Sequence, residues 1–431
     1  MQNENPPVSS GITLGGNLRP VAGNRIQVAG AGASRYLPAM AQNLTLRVTR
    51  RLPAAGELLA GVGQRVDSDT VVARTSISGQ PSLYNLAEYF GVPPRDAVKF
   101  LQKQAHAEFN EGDVIAGRKG LFGRRQFKAP FDGKVSAIDS TGGYISLTPK
   151  AQPFNLEAYV GGLVVDSIPN LGLSIQLQAG YARGAFGFGR ERHGLLRVLA
   201  TNPSDPLEPA AIDARATNYI LLAGSYITAE ALRRAVELKV RGIIAGSIQE
   251  EELTKFLEYR QRTSFYQVGS YNWRFPAELS GHDSPFTLVI TEGFGLRPMA
   301  NRLFEMLAGH DGEELSINGH TQLRRGWQRP EIIVPVIANT AVSRPPARLE
   351  PVQLPRVGSL VRLINPTYLG AVGHVVSLPA SKRGMHPGQL DRLAKVDVAG
   401  TTLVLPFADI EVLDQTVTAA PLNNNRLLPG G

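Results

Sequence analysis

The chain has no cysteine among its 431 residues. Disulfides, thiolate zinc sites, iron–sulfur clusters and cysteine nucleophiles are therefore excluded. Long apolar runs are missing as well, and no stretch approaches the ~20 residues needed to span a bilayer. The opening Met1-Gln2-Asn3-Glu4-Asn5-Pro6-Pro7 is polar and lacks the apolar core of a secretory signal. A cytoplasmic location is the expectation. The seven histidines are scattered, without the spacing of a metal site on one element. There is no Gly-x-Gly-x-x-Gly, no Gly-Lys-Ser/Thr and no Gly-x-Ser-x-Gly, so dinucleotide, P-loop and serine-elbow chemistries lack their sequence support. Lysine is scarce too, ten of the 45 basic residues, so positive charge sits mainly on arginine, whose planar fork pairs with phosphate or carboxylate.

What is present describes a folded chain of several parts. The length suggests roughly three domains. Hydrophobic content of 43% and charged content of 19% are ordinary for a globular protein. Glycine (45) and proline (30) are abundant, which favours many turns and much β-structure. The net charge of +8 favours a polyanionic partner, although the same charge also serves solubility.

Along the chain, residues 1–44 read as a flexible arm with one docked strand near Asn24-Arg25-Ile26-Gln27-Val28. Residues 45–150 contain a repeated turn phrase. Its first copy is Val66-Asp67-Ser68-Asp69-Thr70-Val71-Val72-Ala73; its second is Phe109-Asn110-Glu111-Gly112-Asp113-Val114-Ile115-Ala116, followed by Ala129-Pro130-Phe131-Asp132-Gly133-Lys134-Val135. A helical insert carrying Leu83, Leu86, Ala87 and Phe90, then Ala97, Val98 and Leu101, lies between the copies. Residues 151–204 read as a β-rich connecting segment ending in Gly184-Ala185-Phe186-Gly187-Phe188-Gly189. Residues 205–340 switch to α/β periodicity. Strands at 219–224 and 242–246 flank a helix capped by Thr228, and a capping box of Ser247 and Glu250 opens the next helix. Strand, helix and strand within about thirty residues predict a right-handed βαβ unit with parallel strands. Residues 341–356 form a proline-marked linker, 357–413 a last β-module, and 414–431 a disordered tail.

Three groups of residues carry candidate chemistry. The loop 118–128 mixes Arg118, Lys119, Arg124, Arg125 and Lys128 with Phe122 and Phe127; cations for phosphates beside aromatics for stacking suit RNA. The alternative is a solvated hairpin with both phenylalanines in the core. Lys382 and Arg383, in the loop Lys382-Arg383-Gly384-Met385-His386, are further phosphate candidates. Gly224-Ser225, ahead of the Thr228 helix, would offer free amides to an anion. Glu292, His320 and Arg329 would converge as acid, base and anion clamp if the strand end Thr291-Glu292-Gly293-Phe294-Gly295 lies at a ligand crevice. Against that stands a structural reading, in which the glycines make turns and the charges pair.

The duplicated phrase resembles the barrel-sandwich hybrid of biotinyl and lipoyl carriers. That resemblance implies a lysine at a hairpin tip, yet the tip near Thr75-Ser76-Ile77-Ser78-Gly79 has none, and Lys119 comes too early. No biotin or lipoate is therefore expected. The strands around Tyr368-Leu369-Gly370-Ala371-Val372-Gly373 resemble the KOW motif of SH3-like barrels, many of which bind RNA, ribosomes or RNA polymerase. Taken from 45 to 413, the chain resembles an uncharacterised bacterial multidomain family combining these two modules, which lends no catalytic assignment. The fold expectation is a multidomain, β-rich chain with one α/β domain. The functional expectation is a non-enzymatic scaffold docking on RNA or a nucleoprotein assembly. The alternatives are self-association as a homomeric subunit, or a small-molecule enzyme or sensor centred on Glu292.

Overall fold

Alternation of apolar residues at period 2 dominates the chain, and the computed structural model is correspondingly built of strands. It describes residues 25–28, 40–120, 123–258, 265–268, 273–276, 284–321, 328–336, 354–365, 368, 370–379, 382–383 and 390–413. Most of the expected arm, the linker and the tail lie outside the described residues. The strand expected near Asn24 is present as Arg25–Val28, paired antiparallel with Met40–Arg51.

The largest sheet has thirteen strands and changes character along its width. One part is parallel: Arg192–Val198, Ile220–Leu222, Gly242–Ile248 and Thr287–Phe294 run side by side in that order. Side chains alternate between two cores, as the pleat requires. Leu221, Ile243, Ala245, Leu288 and Ile290 join the core that takes up the helix Ala229–Glu237 through Ala231, Leu232 and Ala235. Ile220, Leu222, Ile244 and Val289 join the opposite core, with Leu303, Met306 and Leu307 of the helix Asn301–Ala308. Covering both faces is what lets parallel strands be apolar throughout. Thr228 caps the first helix, its side chain accepting from the Ala231 N–H.

Two local expectations, at Ser247 and over 45–150, differ from the structure. Ser247 does not cap a helix. It lies inside the strand Gly242–Ile248, fully buried, where its hydroxyl donates to Arg297 O (3.1 Å) and accepts from the Arg297 N–H (2.8 Å). The glycine-rich 184–189 segment holds a buried strand, Phe186–Phe188, antiparallel to Thr287–Phe294. At Gly187 a Cβ would fall 2.2 Å from Leu288 O, so glycine is what allows the two strands to close. The strands expected as one unit over 45–150 divide between two cores. The first turn phrase packs with residues 156–181, through Val66, Val72, Ala73, Leu156, Val160, Ile175 and Tyr181. The second has its own core, in which Phe109, Ile115, Ala116 and Phe127 meet Leu86, Phe90, Val135, Ile145 and Leu147. Residues 82–149 thus form a separate lobe inserted between the strands Val71–Ile77 and Gln152–Glu157, which pair with each other.

The C-terminal module is a five-stranded antiparallel sheet around Val361, Leu363, Val375, Ala394, Val396 and Ile410. It meets the end of the strand Thr287–Phe294 at two glycines. Gly293 (φ +106°) and Gly370 (φ +79°) approach so closely that a Cβ on Gly293 would lie 2.9 Å from the Gly370 Cα.

Candidate functional site

The basic segment 118–128 folds as a two-stranded ribbon, Val114–Gly120 against Gly123–Lys128, forming a sheet of its own. Its register sets Arg118 opposite Arg125 and Lys119 opposite Arg124. Directly opposed like charges destabilise an antiparallel pair. Between Val114 and Lys128 there are five cations and no acid. Arg124, Arg125 and Lys128 are exposed and Arg118 is half-buried, and none of the four forms an ion pair among the described residues. The side chain of Lys119 and the whole of Phe122 lie outside the described residues.

Aromatic rings support the ribbon from below. Phe127 is buried, 5.2 Å from the Tyr84 ring and 5.4 Å from Tyr89, so it is core rather than a platform for bases. The Arg125 guanidinium lies 4.7 Å from the Tyr89 ring centre, and that of Arg118 lies 5.7 Å from Phe100. Tyr89 Oη donates to Gln126 O (2.6 Å), and Arg118 Nη1 donates to Phe90 O (2.9 Å). Cation–π contacts of this kind orient a guanidinium without cancelling its charge. In the C-terminal module, Lys382–Arg383 forms a two-residue strand paired with Leu390–Asp391; its side chains are outside the described residues.

Gly224 and Ser225 do not offer free amides. Both donate to Asp205 O, at 3.1 and 2.8 Å. The helix itself begins at Ala229, whose N–H is taken by the Glu252 carboxylate (2.8 Å). An anion expected there already has a counterpart from within the chain.

Glu292 and Arg329 do enter one charged network, but through residues the sequence reading passed over. Arg362 is 5% exposed and its guanidinium is pinned three ways. It pairs with Glu292, donates to Thr291 O (2.6 Å) and lies 3.5 Å from Glu411 Oε2. Arg329 grips the same Glu411 with both nitrogens, at 3.1 and 3.3 Å, and donates through Nε to Gly184 O (2.8 Å). The second oxygen of Glu292 accepts from the Ala300 N–H (3.2 Å), and Arg297 Nη1 donates to Gly370 O (2.8 Å). Burial alone would raise the Glu411 carboxyl, but Arg329 and Arg362 outweigh it and hold it below its ordinary value. Burial, then Arg362, lowers Arg297. His320 donates its backbone N–H to Asn318 Oδ1 (3.0 Å). The geometry is that of a locked joint between the central sheet and the C-terminal module. Its missed members, Arg362 and Glu411, each stand alone in a short apolar strand, Leu360–Leu363 and Ile410–Val412; an isolated charge in such a strand is the signal that would have found them.

A third polar cluster lies inside the N-terminal strands. Arg50 pairs with Glu191 (2.7 Å) and stacks 5.4 Å from the ring centre of Tyr159, which is buried with a left-handed backbone (φ +69°). Burial, aided by Glu191, pushes the Glu331 carboxyl up to about 8. Among the described residues no group of three His, Asp or Glu side chains is placed to hold a metal, and no helix is long and apolar enough to cross a membrane. No protein-family model matches the chain, and no curated protein matches it.

Proposed function

We propose that this protein is a non-enzymatic docking or scaffold protein, with RNA or a nucleoprotein assembly as its first partner and the ribbon of the inserted lobe as its contact. One observation carries the reading: exposed arginines are set against other cations across a ribbon that contains no acid. Such an arrangement lacks an internal counter-charge and is relieved by a polyanion. On the same reading residues 357–413 are an SH3-like barrel. An enzyme centred on Glu292 has less support, because its two oxygens are engaged by Arg362 and the Ala300 N–H.

The test is fluorescence anisotropy of the full chain with single-stranded and hairpin RNA over a salt series. Binding is expected to weaken steeply with salt. Changing Arg124, Arg125 and Lys128 together to glutamine should flatten the log–log salt slope by roughly 2, at about 0.7 per phosphate contact on a single strand. Equal slopes for the two proteins, or no binding of either RNA, would overturn the reading.

A further inference from the structure

We propose a second anion site, at the amino edge of the parallel strands, in which Arg190, Arg192 and Arg241 receive a phosphate group. It stands on its own observations and does not depend on the ribbon.

The three arginines come together for reasons of strand geometry. Arg190 and Arg192 flank Glu191 just ahead of and at the start of the strand Arg192–Val198, close enough for the Arg190 charge to act on Arg192. Glu191 between them pairs with Arg50 at 2.7 Å. Arg192 opens the strand Arg192–Val198, and Arg241 immediately precedes the strand Gly242–Ile248. Thr287, fully buried at the start of the next strand, ties them: its N–H donates to Arg241 O (3.1 Å) and its hydroxyl to Arg190 O (2.5 Å). The Arg241 side chain crosses back, donating through Nη1 to His193 O (2.7 Å). Gly194 leaves it room, since a Cβ there would stand 3.3 Å from Arg241 Cδ.

Among the described residues, the Arg192 and Arg241 guanidiniums meet carbonyls. Arg192 Nη2 donates to Ser284 O (3.0 Å) and Pro285 O (3.1 Å), while its Nε is buried without a partner. Arg190 is exposed. Among the described residues no carboxylate forms an ion pair with any of the three. Burial first, then Arg190 and Arg241, push Arg192 down to about 10. A carbonyl accepts a hydrogen bond but does not neutralise a guanidinium, so the like charges remain crowded. An anion with several oxygens supplies what is missing: acceptors for the unused N–H groups and the opposite charge. The attraction comes from side-chain charge and not from a helix end, which is why the site can lie opposite the usual crevice of an α/β sheet. The ligand class is a phosphate group, either of a free phosphate compound or of a nucleic-acid backbone.

Calorimetric titration of the full chain with pyrophosphate, against sodium chloride at matched ionic strength, tests it, with a short single-stranded RNA as the second arm. The variant is Arg190→Gln, whose side chain is exposed and not engaged in the fold. Saturable pyrophosphate binding, weakened roughly tenfold in the variant, is the expected result and identifies a free phosphate ligand; tenfold corresponds to one hydrogen bond to a charged group. RNA binding weakened by Arg190→Gln without pyrophosphate binding supports the same site and assigns it to backbone phosphates. Pyrophosphate and RNA affinities that are both unchanged in Arg190→Gln overturn the proposal. Arg124→Gln, on the ribbon, should leave pyrophosphate binding as it is, which separates failure of this site from failure of the ribbon reading.

Discussion

Replacing Arg362 with methionine should be among the most damaging single changes in this protein. The side chain is 5% exposed and faces two carboxylates, Glu292 and Glu411. Methionine fills much of the same volume but returns none of the charge. Glu411 would keep Arg329, whereas Glu292 would keep the Ala300 N–H and the more distant charge of Arg297. Breaking a buried ion pair by removing one partner costs ~3–5 kcal/mol, most of it from the charge left behind. The upper half of that range is expected, because the Thr291 carbonyl loses its donor as well. Urea unfolding followed by tryptophan fluorescence and by circular dichroism measures the loss. Because the contact joins two modules, the variant should also lose coincidence of the two probes. Adding Glu292→Leu to Arg362→Met removes the stranded charge and should recover about half of the lost stability. A single-variant cost under ~1 kcal/mol, or no recovery in the double variant, would refute the reasoning.

Gly370→Ala should destabilise the same joint by at least ~1 kcal/mol, since Gly370 has φ +79° and its added Cβ would lie 3.2 Å from the Gly293 Cα; thermal unfolding of the purified variant measures it. Glu331 is raised to about 8 from 4.5, so the folded state retains a proton that the unfolded chain releases. Its contribution is full below about pH 4.5 and is lost as pH rises towards 8, at no more than ~1.4 kcal/mol per pH unit. Glu331→Gln should therefore flatten the stability profile over that window and be more stable than the native chain at pH 8; denaturation midpoints across the window decide it. Thr228→Ala should cost ~1 kcal/mol by removing the cap on Ala231, with circular dichroism following the loss.

The parallel unit was legible because its evidence is local. Apolar runs at 219–224 and 242–246, a threonine cap and the helical spacing of Leu232, Ala235 and Val236 between them are each set by neighbours within a few residues. The repeated turn phrase was legible as strands and turns, but not as a grouping. Nothing within Val66–Ala73 says that its core partners are Leu156 to Tyr181, about ninety residues on, and not the similar phrase at 109–116. Ser247 shows the same limit in miniature. A serine three residues before a glutamate is a capping signal, yet here the strand runs through it because Arg297 offers its backbone.

By itself, then, the sequence determined the alternating strands, the parallel βαβ order, the absence of thiol chemistry and the excess of arginine. Period, capping and composition act over a few residues, and the chain carries them in plain order. Tertiary structure alone decided which charges meet. It set Arg362 between Glu292 and Glu411, spent the Gly224 and Ser225 amides on Asp205, and left Arg190, Arg192 and Arg241 around one threonine with no ion-paired carboxylate among the described residues. Electrostatic partnership depends on distances of a few ångströms across residues far apart in the chain, and a linear order of residues does not contain those distances.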